Sequence, residues 1–232
     1  MTYMDLQQNI DSIKRRIANA AASAGRKPED IRLIAVSKTV DAAIVRQAYE
    51  LGLDTFGENR PQEIRDKSAV IPEAKWHMIG RLQTNKLKYV VGKTELIHSV
   101  DTMTLMQDIN EFAKKLEIVQ DILIQINISG EESKAGIRPE DFENMLECAV
   151  KLNNIRVLGI MTIGSKYASE YELEKMFENC RKIFVDNSVK KYDNIDIRHL
   201  SMGMSGDFET AIKHGSTMVR IGSAIFGERK YV

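Results

Sequence analysis

Apolar strand-like runs alternate with amphipathic helix-like runs along most of this 232-residue chain, and this alternation restricts the possible folds more than any other feature. A helix-like run separates each successive pair of strands, and such a crossover returns the chain to start another parallel strand. Eight units without a low-complexity linker predict an α/β protein with a closed (β/α)₈ TIM barrel. The eight predicted strands are residues 31–38, 54–58, 76–80, 95–100, 119–128, 155–162, 197–202 and 217–221.

An open, doubly wound sheet is the alternative architecture. It would normally carry a glycine-rich turn after its first strand, whereas residues 37–40 read Ser-Lys-Thr-Val. Residues 2–24 have a helical pattern that precedes the first strand and ends at Gly25. We expect this extra N-terminal helix, within residues 1–25, to pack on the barrel and to cover the gap left by a missing or very short eighth helix. The whole chain, residues 1–232, is predicted to be a single domain.

Composition and charge argue against several classes of protein. Lysine plus arginine and aspartate plus glutamate both number 33, so no net charge attracts nucleic acid or an anionic membrane. The first residues lack the pattern of a signal peptide, and no apolar run approaches the ~20 residues of a membrane span. Cys148 and Cys180 form no motif, and the four histidines are not spaced as metal ligands. These features predict a cytosolic protein without a metal site.

Lys38 is the first candidate functional residue, because it stands at the end of the predicted strand 31–38. A lysine held against apolar walls loses hydration, which lowers its pKa below the usual value of about 10.4. The neutral amine is then a nucleophile that can form a Schiff base with an aldehyde. The alternative is a surface lysine whose alkyl chain lies along apolar neighbours.

The loops after the seventh and eighth strands form a second candidate feature. Ser201 lies at the end of the seventh strand, and Ser205 lies in the loop after it, where it is a predicted helix N-cap. Gly222 and Ser223 lie in the second loop and offer backbone amides. Barrels often bind phosphate at these two loops, although two ordinary glycine-bearing loops would look the same. A phosphate site facing an amine suits either pyridoxal phosphate or the phosphosugar of a Schiff-base aldolase.

Seven segments carry a resemblance to a known family: residues 33–38, 56–59, 76–86, 98–101, 159–162, 200–205 and 219–227. They closely resemble segments of the pyridoxal-phosphate homeostasis proteins, and the resemblance extends from about residue 31 to the end of the chain. That family is similar to the barrel domain of bacterial alanine racemases and ornithine decarboxylases, standing alone.

The resemblance implies a binder of pyridoxal 5′-phosphate (PLP) that is involved in vitamin B6 balance and has no established catalytic turnover. It implies that Lys38 carries the Schiff base and that Arg220 faces the pyridine nitrogen. It further implies a role for each of the remaining site residues: phosphate binding by Ser201, Gly222 and Ser223 with Ser205 nearby, a place beside the ring for Asn59, and closure of the pocket by His77. We expect the protein to hold PLP and to buffer it or deliver it to apo PLP-dependent enzymes, as a monomer.

Two other functions stay open at this point: a PLP-dependent racemase or decarboxylase, and a Schiff-base aldolase. Two observations favour a carrier over an enzyme. An arginine opposite the ring nitrogen does not give up its proton, so the pyridine stays unprotonated and withdraws electrons weakly. The related racemases also use a second acid or base from an added β domain, and the sequence ends soon after its eighth predicted strand.

Overall fold

The computed structural model describes residues 2–131, 133–165, 167–190 and 192–227. Its centre is a closed barrel of eight parallel strands in sequential order, in which β1 pairs with both β2 and β8. The predicted α/β class and (β/α)₈ barrel are therefore confirmed. The strands are β1 Arg32–Val36, β2 Thr55–Glu58, β3 Lys75–Met78, β4 Leu96–Val100, β5 Gln120–Ile126, β6 Ile155–Thr162, β7 Ile195–Ser201 and β8 Met218–Ile221.

Helices surround the barrel and connect successive strands. The α-helices are α1 Tyr3–Ser23, α2 Ala42–Glu50, α3 Pro61–Val70, α4 Met103–Lys115, α5 Phe142–Ala149, α6 Glu170–Ser188, α7 Phe208–Lys213 and α8 Ser223–Phe226. Short 3₁₀ segments cover Pro28–Asp30, Thr84–Tyr89 and Pro139–Asp141. The segment between β3 and β4 is a 3₁₀ helix rather than an α-helix. Leu87 and Val90 are both buried, and their spacing of three suits the three-residue turn.

The N-terminal helix α1 packs along α7 and α8, which are the two shortest helices. Thr2 caps α1 through a capping box with Asp5. The side chains that form its apolar stripe are buried, and they are Leu6, Ile10, Ile13 and Ile17. This stripe is thus the face that covers the barrel where the eighth helix has only one turn. Among the described residues, no helix has the length and apolar character needed to cross a membrane.

Side chains on a strand alternate between the helix layer and the barrel interior. A large apolar cluster fills the space between strands and helices, and a smaller one lies inside the barrel. The smaller cluster consists of Ile34, Leu96, Leu123, Leu158, Met161 and Met218. Two-residue spacing from Ile34 places Val36 towards the interior, and from Met218 it places Arg220 there. Lys38 follows in the turn after β1.

Candidate cofactor-binding site

A cavity of about 430 Å³ opens at the carboxyl ends of the strands. Six of the eight predicted site residues line it: Lys38, Asn59, Ser205, Arg220, Gly222 and Ser223. The sequence did not single out the other lining residues, which are Val36, Ile79, Ile163, Met204 and Gly206. The cavity thus combines an amine, a guanidinium, an amide and two hydroxyls with apolar walls.

Lys38 is half-buried at the rim of this cavity, and the residues on either side of it are tightly held. The Ser37 hydroxyl donates to Glu58 Oε1 at 2.6 Å. Thr39 has a φ of 63°, which is a strained backbone conformation for a β-branched residue. Its N–H donates to Glu63 Oε2 at 2.8 Å, so α3 holds the strained residue in place.

A buried ionic cluster behind Lys38 joins these contacts. The Lys67 ammonium donates to Glu58 Oε1 and to Glu63 Oε2, both at 2.8 Å, and to the Ser37 carbonyl at 2.7 Å. Burial raises the pKa of Glu58 to about 7, against the opposing effects of Lys67 and the Ser37 hydroxyl. The effect of burial is the larger one, and Glu58 Oε2 is itself buried without a hydrogen-bond partner among the described residues.

Asn59 lines the cavity, and the chain after β3 passes close to its backbone. A Cβ on Gly80 would lie 2.4 Å from the backbone oxygen of Asn59 and 2.6 Å from its Cα. Real Cβ atoms do not approach that closely, so any other residue at position 80 would displace Asn59. A glycine at position 80 is therefore needed to keep Asn59 in its place.

Hydrogen bonds link the loop after β7 to β8 and to the loop that follows β8, at the wall of the cavity formed by these two loops. The Gly222 N–H donates to Ser205 Oγ at 3.3 Å, and the Arg220 N–H donates to the Gly203 carbonyl at 3.0 Å. The prediction that Ser205 caps the following helix is wrong. Helix α7 begins at Phe208, and Asp207 occupies the cap position. Ser205 lies outside the helix, and its hydroxyl oxygen instead accepts the hydrogen bond from Gly222 in the loop after β8.

Arg220 is buried, with 4% of its surface exposed, and uncharged groups hold its guanidinium. Nη1 donates to Ser201 Oγ at 2.6 Å, and Nη2 donates to the Thr162 carbonyl at 2.8 Å. Burial lowers the pKa of Arg220 to about 10, and the attraction of Asp207 opposes this shift. The side chain is therefore still a cation at neutral pH.

The two remaining predicted site residues do not line the cavity. Ser201 is fully buried next to the Arg220 guanidinium. His77 is also fully buried, and its Nδ1 lies 2.9 Å from Nε2 of His98. Both residues belong to the polar interior of the barrel.

Comparison with known proteins gives consistent results. The family model described as alanine racemase, N-terminal domain, matches residues 8–230. The pyridoxal phosphate homeostasis protein of Aquifex aeolicus is 43% identical over 98% of this chain and 100% of that protein. The protein of the same name from Pseudomonas aeruginosa is 39% identical over 97% of this chain and 96% of that protein.

This chain belongs to the pyridoxal phosphate homeostasis protein family.

Solved structures agree with this assignment. PipY of Synechococcus elongatus, in a structure with PLP bound, superimposes with a TM-score of 0.79 at 32% identity, over 91% of this chain and 100% of that one. An alanine racemase from Clostridium difficile gives a TM-score of 0.73 at 19% identity, over 98% of this chain and 57% of that one. The likeness to the racemase shows the fold alone.

The sequence analysis did not single out several residues that line the cavity or lie behind it. Ile79 and Ile163 each follow a strand directly, so the strand-end rule of barrels would have found them. His98 lies within a segment that carried the family resemblance, but no contact was predicted for it. Lys67 lies on an ordinary amphipathic helix, and nothing in the local sequence indicates that its ammonium is buried.

Proposed function

We propose that this protein binds PLP in the cavity at the carboxyl ends of the strands and holds it for delivery to apo PLP-dependent enzymes. The observation that carries the proposal is that Lys38, Arg220, Ser205 and the Gly222–Ser223 backbone line one cavity. Its volume of about 430 Å³ lies within the range usual for small-molecule sites. The close family relationship supports the same ligand.

The donors in the cavity match the functional groups of PLP one by one. PLP supplies an aldehyde that condenses with a primary amine, and Lys38 provides the amine. A phosphate dianion accepts hydrogen bonds, which the Ser205 and Ser223 hydroxyls and the backbone amides of the second loop can donate. The pyridine nitrogen is an acceptor, and the Arg220 guanidinium has only donors. Asn59 would lie beside the ring.

The positions of Ser201 and His77 suggest an indirect role for both. Neither lines the cavity, and Ser201 accepts a hydrogen bond from Arg220. We therefore assign Ser201 to the support of Arg220 rather than to the phosphate, and we assign His77 to the barrel interior rather than to closure of the pocket.

We further propose that the protein is a carrier without turnover. Among the described residues that line the main cavity, Lys38 and Arg220 are the titratable ones, and a guanidinium does not exchange protons at neutral pH. Amino-acid racemisation needs a second acid or base. Lys134 lines a smaller adjoining cavity, but its ammonium donates to Glu131 Oε1 at 2.9 Å and to the Gly164 carbonyl at 3.2 Å. We propose a cytosolic, monomeric, single-domain protein.

The first experiment tests the attachment site. Purified protein incubated with PLP should show a visible absorbance band, which Lys38→Ala should abolish without a change in far-UV circular dichroism. Lys93→Ala is the matched control, since Lys93 is exposed, precedes the amino end of β4 and does not line the cavity. Borohydride reduction and peptide mapping should place the pyridoxyl group on Lys38. A pyridoxyl group on a different lysine of the unmutated protein would refute the assignment.

The second experiment tests the absence of turnover. The PLP-loaded protein is incubated with a panel of L-amino acids in deuterated water, and α-proton exchange is followed by NMR. We expect no multiple-turnover exchange and no racemisation. Steady exchange over many turnovers would defeat the carrier proposal and favour a racemase.

A further inference from the structure

A chain of hydrogen bonds runs from Arg220 through the interior of the barrel. Arg220 Nη1 lies 2.6 Å from Ser201 Oγ. Ser201 Oγ lies 3.0 Å from His98 Nδ1, and His98 Nε2 lies 2.9 Å from His77 Nδ1. The two histidines and Ser201 are fully buried, and Arg220 is 4% exposed. These four side chains come from four different strands, β8, β7, β4 and β3.

The direction of every hydrogen bond in this chain follows from the arginine. A guanidinium has donors and no acceptor, so Ser201 Oγ must accept from Arg220. The hydroxyl proton of Ser201 then needs an acceptor, and His98 Nδ1 is the neighbour that can provide it. His98 Nδ1 must therefore be unprotonated. If His98 Nδ1 also donated to Ser201, the hydroxyl proton would have no acceptor among the described contacts of that oxygen.

The same reasoning determines the tautomers of both histidines. Burial lowers the pKa of His98 well below its usual value, and the charges of Arg220 and Arg32 act in the same direction. A neutral His98 without a proton on Nδ1 carries it on Nε2 and donates to His77 Nδ1. Burial also lowers the pKa of His77, so a neutral His77 carries its proton on Nε2.

The far end of the chain faces a carboxylate. His77 Nε2 lies 3.8 Å from Glu95 Oε1, and Glu95 is bonded to Arg32 at the start of β1. The influence of His77, together with Arg32, lowers the pKa of Glu95 to about 2, so this group is anionic at neutral pH. The chain thus begins at a buried cation and points its last N–H towards an anion beside the opposite mouth of the barrel.

The common direction of the hydrogen bonds from Arg220 to His77 stabilises the buried guanidinium. Each donor group points away from Arg220, so each lone pair points back towards the cation, and aligned hydrogen bonds polarise one another in a low-dielectric interior. Because a guanidinium does not release its proton at neutral pH, the chain transmits orientation and not protons. A reversal of either tautomer would direct a proton at Ser201 and disturb the bond that holds Arg220.

We propose that His98 and His77 are positioning residues that hold Arg220 in the cofactor cavity through Ser201, and that they link this cavity to the Arg32–Glu95 pair at the other end of the barrel. The role of Arg220 towards PLP rests on the proposed function. The tautomers of the histidines do not rest on it.

The tautomers are measured first, on cofactor-free protein with ¹⁵N-labelled histidine, by long-range ¹H–¹⁵N NMR near neutral pH. We expect both His98 and His77 to be neutral with the proton on Nε2. Anionic Glu95 also favours a proton on His77 Nε2, so the arginine and this charge are removed together in Arg220→Met/Glu95→Gln. Ser201 can then donate or accept, and His98 and His77 should both become tautomer mixtures although neither side chain is altered. A proton on Nδ1 of His98 in the wild type, or unchanged tautomers in the double variant, would overturn the inference.

The link to the cofactor is measured second, by titration with PLP. His98→Leu removes the acceptor for the Ser201 hydroxyl and should weaken PLP binding about tenfold or more. His98→Asn restores an acceptor near the position of Nδ1, and it should recover most of the affinity if the role is positional. Equal affinities of wild type and His98→Leu would refute the positioning role. A wild type that does not bind PLP would refute the proposed function instead and leave the tautomer result standing.

Discussion

The side-chain ammonium of Lys67 lies 2.7 Å from the backbone carbonyl oxygen of Ser37, the residue immediately before Lys38. The same nitrogen contacts Glu63, whose carboxylate accepts from the backbone N–H of Thr39. Both residues that flank Lys38 are therefore held by side chains of α3. Because Lys67 is 6% exposed, these bonds are shielded from competition with water.

Replacing Lys67 with methionine should destabilise the protein strongly. The methionine side chain would keep much of the volume, but Glu58 and Glu63 would lose the buried cation that pairs with them. Loss of one partner of a buried ion pair typically lowers the free energy of unfolding by about 3–5 kcal/mol. Lys75→Met is the matched control, since its pair with Asp54 is exposed and should contribute no more than about 1 kcal/mol. Urea denaturation gives both free energies of unfolding, and similar losses in the two variants would contradict the importance of the buried cluster.

The buried Glu58 carboxyl should make stability depend on pH between about 4.5 and 7. Burial raises the pKa of Glu58 from 4.5 to about 7, so the folded state keeps a proton that the unfolded state has lost. Stability from this residue is present below pH 4.5 and is lost as pH rises through 7. The loss should be on the order of 3 kcal/mol.

Glu58→Gln isolates this effect, because the amide keeps an acceptor for Lys67 and does not titrate. Unfolding free energies of both proteins are measured from pH 4.5 to 8.5. We expect the wild type to lose stability relative to the variant as pH rises. A constant difference across this range would show that Glu58 does not titrate there.

Ser205 should contribute to selectivity for the phosphate. Its oxygen accepts from the Gly222 N–H, which leaves its own proton to donate into the cavity. Hydrogen bonds to a charged group contribute about 1.5–3 kcal/mol, so Ser205→Ala should weaken PLP binding roughly 10- to 100-fold. Pyridoxal lacks the phosphate, and its affinity should hardly change. Equal losses of affinity for PLP and for pyridoxal would show that Ser205 does not act on the phosphate.

Gly80→Ala should damage the site through Asn59. The added methyl would lie 2.4 Å from the backbone oxygen of Asn59, and the atoms it would meet are backbone atoms, which adjust less easily than a flexible side chain. We expect PLP affinity to fall by about tenfold or more, or roughly 1.4 kcal/mol. Gly25→Ala is the control: its φ of 66° makes alanine unfavourable by about 1 kcal/mol, but its Cβ would meet no neighbour and the cavity is distant. Unchanged PLP affinity in Gly80→Ala would mean that the Asn59 backbone is not needed for binding.

The residues of the cavity could be predicted because they follow from chain order. The carboxyl ends of parallel strands meet at one rim, so Lys38, Asn59 and Arg220 come together once the eight strands are recognised. The cap of α7 was predicted wrongly, because Asp207 and not the nearby Ser205 occupies the cap position. Local propensity barely distinguishes such alternatives.

Hydrophobic periodicity alone determined that this chain forms a (β/α)₈ barrel, because the spacing of apolar residues specifies which elements form and alternation specifies how they connect. Only the tertiary structure decided which polar side chains would share the buried interior. His98 and Ser201 are 103 residues apart, and Lys67 reaches Ser37 across 30 residues. Such contacts depend on the stagger between strands and on the rotation of helices about their axes. Neither the stagger nor the rotation leaves a periodic signal in the sequence, so these partners could be identified only in the tertiary structure.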